Sequence, residues 1–513
     1  MAGSTPYIVP RVLLSLIAGV IAPLSLAPFN YWYLGAASVA LLYLLLHNCS
    51  ARAAGWLGWC YGLGFFGTGV SWVFVSIHEH GNAPIWLAAS MTALFVAALA
   101  ILPALQCWLS NKLFRNALGF AALWLVFEWL RSWFLTGFPW LYLGYGVIDT
   151  PLAAFAPFGG VWILSLYVVM VGTLSISFFK HLKHPLQSAA ILVLLAVPWI
   201  AIQQDKVPGG WTLKKGEPLD VMLVQADIPQ AQKWQPSQLE NILQTYVDLS
   251  MESNKVDLLI WPETAIPTFY RNATGLLSPL TDYLDESQTA MISGIPSIVV
   301  DPDHPKGRRF QNTLTIFAGG EGSYNKQRLV PFGEYVPLEA QLRGLIEFFD
   351  LPMSEFSLGD KDQAPLSVKG SQIAPFICYE IAYPELVRQN SINSDLLLTV
   401  SNDTWFGQSI APAQHMQIAR MRALETGRWL IRSTNNGVTA LVNPQGQVTA
   451  TIPQYQTGVL VGSVQPMSGQ TPYQTFGIEP LQILIGLMLI FAFFTRGSLP
   501  GYRFSGLKQR LQS

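Results

Sequence analysis

Residues 375–385 read "PFICYEIAYPE". An apolar run ends at Cys378, an acidic residue follows two positions on, and the helix-like stretch "YPELVRQN" begins at Tyr383. A strand that ends on a reactive side chain and turns into a helix is the way open α/β sheets present groups at the carboxyl ends of their strands. Comparable apolar runs recur around it: "DVMLVQAD" from 220, "VDLLIWPET" from 256, "TAMISGIPSIVV" from 289, "NTLTIFAGG" from 312, "DLLLTVSND" from 395, "RWLIRSTNNGVTALVNPQG" from 428 and "GVLVGSV" from 458. Several are continuously apolar, as in strands buried on both faces. Amphipathic helical patterns fall between them at 236–255, 383–390 and 412–427. Strand and helix in alternation predict an α/β layered domain, with Asn436-Gly437 and 443–446 marking turns.

This domain is one part of a chain of 513 residues that is 51% hydrophobic and only 12% charged. Soluble domains carry about 25% charged residues, so the composition points to a membrane. Apolar runs near the length that spans a bilayer lie at 11–28, 31–47, 53–77, 84–110, 117–135, 160–179, 187–203 and 478–495. The sequence thus predicts a seven-span region over 1–203, an extramembrane domain over 204–477, and a last span with its tail over 478–513. Lys and Arg set the orientation. Arg11, Arg52, Lys112, Arg115, Lys180 and Lys183 precede the first span or lie between spans 2/3, 4/5 and 6/7, and Arg496, Arg503, Lys508 and Arg510 follow the last. Connections 1/2, 3/4 and 5/6 carry neither residue. Both termini are therefore expected on the cytoplasmic side and the domain on the far side. The first span is expected to stay, because its apolar core exceeds that of a signal peptide and Pro28 follows its best small-residue site. A net charge of −1 argues against a nucleic-acid partner.

Of the four cysteines, Cys49, Cys60 and Cys107 lie in or at the end of spans, and Cys378 alone reaches the outer compartment. A thiol attacks as thiolate, so it needs a base or a cation nearby. Glu263 closes the run "LLIWPET", and Lys326 and Glu334 sit in "YNKQRLVPFGEYVP" after another strand. Glu263 can take the thiol proton, Lys326 can meet the oxyanion of an attacked carbonyl, and Glu334 can orient Lys326. Taken singly, each is as well explained as a solvated surface charge.

Together, "WPET", "YNKQRLVPFGEYVP", "ICYEIAYPE" and "SNDTWFG", in this order, resemble the nitrilase (carbon–nitrogen hydrolase) superfamily. The resemblance implies an αββα sandwich, a Glu–Lys–Cys catalytic set at Glu263, Lys326 and Cys378, and Glu334 in support. The flanking spans, with "RSWFLTGFPWLYLGYG" and "ADIPQAQKWQP", narrow it to the apolipoprotein N-acyltransferase family of the Gram-negative inner membrane. That implies ping-pong transfer of an sn-1 acyl group from a phospholipid, typically phosphatidylethanolamine, through a Cys378 thioester. The acceptor is the α-amino group of a diacylglyceryl-cysteine apolipoprotein, and no cofactor or metal is called for. It also implies Trp234 as a substrate-site aromatic and Tyr379 and Glu380 as supports beside the nucleophile. Glu380 could equally be a carboxylate at a helix N-terminus.

The stretch 338–357, rich in Leu and Phe and placed directly after Glu334, reads as a lid into the bilayer or as a packing helix. His78, Glu79 and His80 read as interfacial polar residues, and Glu128 with Arg131 as an i, i+3 pair within a span. Two other functions fit less well. A membrane-anchored amidase would use the same three residues but pass the acyl group to water. A transporter would show internal repeats and interrupted spans, which are not evident.

Overall fold

The computed structural model describes residues 8–180, 185–203, 210–251, 255–302, 307–331, 333–335 and 356–496. Most of the stretch read as a lid, together with Lys183 and the tail beyond 496, lies outside the described residues.

Each apolar run carries a helix. They are Ile8–Ile21, Trp32–Leu45, Ala51–Gly69, Ile85–Leu99 with Ile101–Leu109, Ala117–Arg131, Ala156–Lys180, Pro185–Gln203 and Glu479–Phe494. Among the described residues two stretches, Ile85–Phe114 and Pro151–Phe179, are long and apolar enough to cross a membrane. Ala51–Gly69 joins them if it is counted as one span with Trp72–His80, to which it is bent by 54°. The helices touch through small residues, as expected where lipid gives no hydrophobic drive between them. A Cβ on Gly19 would lie 2.1 Å from the Tyr61 carbonyl oxygen, and one on Gly64 2.3 Å from that of Leu16. Glu128 and Arg131 do not pair with each other. Glu128 accepts from Trp124 Nε1 at 3.0 Å and the Leu143 amide at 3.4 Å, while the Arg131 guanidinium lies over the rings of Phe66 and Tyr142. The carboxylate is thus shared between its own helix, through Trp124, and the segment that follows it, through Leu143.

That segment is irregular, with short 3-10 turns at Phe134–Thr136, Leu143–Val147 and Pro151–Phe155. Residues 140–148 are nevertheless all buried. Irregular backbone in a membrane protein survives only where protein satisfies it, and here the membrane helices cover one side, the Gly144 amide donating to Ser165 Oγ at 2.9 Å, and the second domain the other, where Trp140 Nε1 donates to Gln414 at 2.7 Å.

The second domain is a sandwich of two sheets. In the six-stranded sheet, Leu219–Gln225, Leu258–Ile260 and Ala290–Val300 run parallel; in the seven-stranded sheet, Ser371–Ile377, Leu396–Ser401 and Trp429–Thr434 do. Alternation along each strand builds the layers. Val221, Leu223, Leu258 and Ile260 meet Ile373, Leu396, Leu398 and Ile431 between the sheets. Met222, Val224, Leu259 and Trp261 face helices Leu239–Met251 and Tyr270–Ser287. Ala374, Phe376, Leu397 and Leu430 face outward from the other sheet, in one core with helix Ala411–Thr426 and the membrane helices. This is the expected αββα arrangement, with one helical layer pressed against the membrane part.

One expectation fails and one helix was not foreseen, each for a physical reason. Helix Ala411–Thr426 is not amphipathic: all of its residues but Ala413 and Arg420 are buried, because one side packs on the sheet and the other on the membrane part. Helix Tyr270–Ser287 escaped the sequence reading because Pro279 lies inside it, and proline argues against a helix interior.

Candidate active site

The parallel strands bring three segments to one end of the sandwich. Glu263 follows Leu258–Ile260, Cys378 follows Ser371–Ile377, and Asn402 follows Leu396–Ser401. Lys326 leaves the edge strand Ser323–Asn325. The backbone at these exits is unusual: Cys378 has φ 53° and Thr264 φ 49°. Non-glycine residues in the left-handed region cost about 1–2 kcal/mol each, and such strain concentrates where geometry matters for function.

Glu263 is held on both oxygens. Oε2 accepts the Asn402 amide at 2.9 Å, and Oε1 accepts Asn312 Nδ2 at 2.8 Å and lies 3.4 Å from Lys326 Nζ. Lys326, 1% exposed, donates to Glu334 Oε1 at 2.7 Å. Glu334 Oε2 in turn accepts the Val330 amide at 2.9 Å. An ammonium has three protons; the two carboxylates engage two, so one remains for a substrate oxygen. Burial pulls the Lys326 pKa down, but the charges of Glu334 and Glu263 outweigh it and the net shift is upward.

Cys378 is 8% exposed. Burial, then the charge of Glu263, raise its thiol above the ordinary cysteine value, and Lys326 only partly opposes them. The uncharged thiol is thereby favoured at rest, so a group that takes its proton is needed wherever the sulfur acts as a nucleophile.

Glu380 is fully buried and accepts the amide of Ile377 at 2.7 Å, capping the turn that contains Cys378. It also accepts the amides of Gln327 at 2.5 Å and Arg328 at 3.0 Å. One carboxylate thereby ties the Lys326 loop to the Cys378 turn. Burial pushes its pKa up to about 7 against those donors. Tyr379 packs outward: its hydroxyl donates to the Gly137 carbonyl at 3.3 Å, and that of Tyr383 to Thr136 at 3.1 Å. The ring of Tyr379 stacks on Trp140. Trp234 follows the short helix Gln230–Lys233 and is half-buried, its Nε1 enclosed without a partner.

Sequence reasoning missed Asn312, Asn402 and Lys233. Lys233 is buried and donates to the main-chain oxygen of Glu263 at 3.0 Å. Burial lowers its pKa to about 8 against the charges of Glu263 and Cys378. The signal was available beside Trp234, but a lysine in a polar stretch reads as solvated. The two asparagines lie within or next to strand runs, and nothing in their spacing shows that they meet a carboxylate.

Two expected results follow from this geometry. Lys326→Met leaves Glu263 and Glu334 buried without their cation, which costs about 3–5 kcal/mol; thermal unfolding measures it. The same sign governs pH. A lysine whose folded pKa is raised contributes stability that is complete below its unfolded value of about 10.4 and is lost only as pH rises through the folded value. Gly294→Ala places a Cβ 2.3 Å from the Thr264 amide nitrogen, against the turn that carries Glu263. Overpacking of that kind costs about 1–3 kcal/mol. Turnover should fall further than stability, and unchanged turnover would show that the turn tolerates displacement.

Two families match the chain. Residues 18–174 match the apolipoprotein N-acyltransferase N-terminal domain, and residues 221–473 match the carbon-nitrogen hydrolase family. An apolipoprotein N-acyltransferase of Pseudomonas paraeruginosa is 48% identical over 501 residues, covering 96% of this chain and 98% of its own. One from Vibrio vulnificus is 41% identical over 508 residues, covering 95% and 97%. Among solved structures, an amidase from Nesterenkonia sp. aligns at 20% identity and a TM-score of 0.33, covering 54% of this chain and 99% of its own.

Proposed function

The chain belongs to the apolipoprotein N-acyltransferase family, and on that premise we propose how its residues divide the work. The protein is a membrane acyltransferase of lipoprotein maturation. In the proposed first half-reaction, Cys378 Sγ attacks the sn-1 ester carbonyl of a phospholipid while its proton passes to Glu263. The oxyanion takes the free N–H of Lys326. Collapse breaks the ester C–O bond, Glu263 returns the proton to the leaving alkoxide, and lysophospholipid departs from a thioester. In the second half, the neutral α-amino group of a diacylglyceryl-cysteine attacks the thioester. Glu263 takes the ammonium proton and delivers it to the leaving sulfur, regenerating the thiol. Glu334 holds Lys326, Glu380 and Tyr379 hold the turn, and Trp234 lines the substrate side.

One observation carries the preference for lipid over a soluble amide. The residues beside the nucleophile bond directly to the membrane part, Tyr379 and Tyr383 to the carbonyls of Thr136 and Gly137. A site built against a membrane wall is placed to draw its acyl donor from the bilayer. The distribution of Lys and Arg supports eight crossings, cytoplasmic termini and a catalytic domain facing the periplasm of a Gram-negative inner membrane. Purified protein with phosphatidylethanolamine labelled in its sn-1 chain and a diacylglyceryl-cysteine peptide provides the test. Label on the peptide amine supports the reading; label released only as free fatty acid makes the protein a hydrolase instead.

A further inference from the structure

Behind Cys378 lies a second polar group, separate from Glu263, Lys326 and Glu334. Ser401, Asp403, His415 and Arg432 are each 2% exposed or less. Arg432 Nη2 donates to Asp403 Oδ2 at 2.7 Å. Asp403 Oδ1 accepts the Ser401 hydroxyl at 2.6 Å and lies 3.1 Å from His415 Nδ1. The far ends of this network reach the nucleophile twice. His415 Nε2 is 3.1 Å from the Cys378 carbonyl oxygen, and Ser401 Oγ is 3.4 Å from Cys378 Sγ. Gly437 makes room for it, since a Cβ there would lie 2.3 Å from Asp403 Oδ2.

The partners assign the protons. A carbonyl only accepts, so His415 Nε2 carries a hydrogen. Burial, then the charge of Arg432, pull the ring below the usual histidine range, while Asp403 Oδ1, 3.1 Å from Nδ1, opposes them; Arg432 Nη2 lies 3.2 Å from the same nitrogen. Asp403 is held ionised against burial by Arg432 and His415. A serine hydroxyl has one proton. With the thiol uncharged, the shorter bond to Asp403 takes that proton, and Ser401 Oγ turns a lone pair toward the sulfur. Once the sulfur carries negative charge, the same hydroxyl can turn its proton to it. His415 bonds the main chain of Cys378 rather than its sulfur, so it is not the base of a Cys–His pair.

We propose that Ser401, Asp403, His415 and Arg432 are positioning residues for the nucleophile. His415 clamps the Cys378 carbonyl so that the residue keeps its left-handed turn, and Ser401, aimed by Asp403, hydrogen-bonds the sulfur as charge builds on it. This rests on Cys378 being the acylated residue.

The test uses the full-length protein in detergent with phosphatidylethanolamine and the variants Ser401→Ala, His415→Ala and His415→Gln. Three quantities are measured: the rate of acyl-Cys378 formation by mass spectrometry, the pH midpoint of iodoacetamide alkylation of the Cys378 peptide, and the melting temperature. The charged groups facing the sulfur, Glu263, Lys326, Asp403 and Lys233, are all retained. Ser401→Ala should slow acylation about tenfold, the worth of one hydrogen bond, and move the midpoint upward. His415→Ala should slow it roughly 10²-fold, the scale of a small misplacement of reacting atoms. Gln, which can still donate to the carbonyl, should restore most of the rate. An unmoved rate and midpoint in Ser401→Ala, or Gln no better than Ala at equal melting temperature, overturns the proposal. Absence of any acyl group on Cys378 in the unsubstituted protein overturns the premise along with it.

Discussion

Cys378→Ala should abolish acyl transfer, by about 10⁴-fold or more, the scale seen when a covalent nucleophile is removed. The fold should survive. Alanine keeps the Cβ that the left-handed turn already accommodates, and Glu380 still caps that turn through the Ile377 amide. The sulfur's contact with Ser401 and its packing in the core between the sheets are lost. The measurement is label on the diacylglyceryl peptide together with the mass of the protein after incubation with phospholipid. The unsubstituted protein should gain one acyl chain on Cys378 and the variant none. Transfer that persisted in the variant would mean that the amine attacks the phospholipid directly, with no thioester between.

Glu263→Gln should move two properties of Cys378 in opposite directions. After burial, the Glu263 charge is the largest cause holding the thiol above its ordinary pKa. Removing that charge leaves Lys326 opposed only by burial and the weaker effect of Asp403, so the thiol becomes more acidic and alkylates faster at neutral pH. Acyl-enzyme formation should nevertheless fall by about 10²–10⁴-fold, the contribution of a positioned general base, because nothing now takes the proton or returns it to the leaving alkoxide. A stability loss of about 1–3 kcal/mol is expected as well. The carboxylate accepts Asn402 N–H on one oxygen and Asn312 with Lys326 on the other, and an amide has one oxygen to offer. If alkylation and acylation both fell, Glu263 would be ionising the sulfur at rest, and the thiol reading would be wrong.

The two predictions separate what local sequence could say from what it could not. Continuous apolar strands at 220–226 and 395–401, ending in polar residues, declare a buried parallel sheet, because only that environment hides both faces of a strand. Glu263 and Cys378 stand where an apolar run stops, but Lys326 and Glu334 joined them only through the resemblance of the ordered motifs. Lys233, Asn312 and the Ser401–Asp403–His415–Arg432 group were not legible. They lie in runs, polar stretches or motifs that say nothing of which groups they meet, and their hydrogen-bond partners stand up to 49 residues away. The helix at 270–287 was hidden by Pro279, and the all-round burial of 411–426 by the assumption that its outer side meets water.

What the sequence determined alone was the division into apolar helices and an α/β domain, and the identity of the groups that could carry the chemistry. Hydropathy, charge placement and strand length are properties of neighbouring residues, and neighbours are what a sequence displays. What only the tertiary structure decided was the state of those groups. Whether Cys378 rests as thiol or thiolate depends on its burial and on the balance of Glu263 against Lys326. Whether Glu380 caps a turn or braces a loop depends on amides from two distant segments converging on one carboxylate. Burial and Coulomb energy are functions of distance in space, and the fold alone sets those distances.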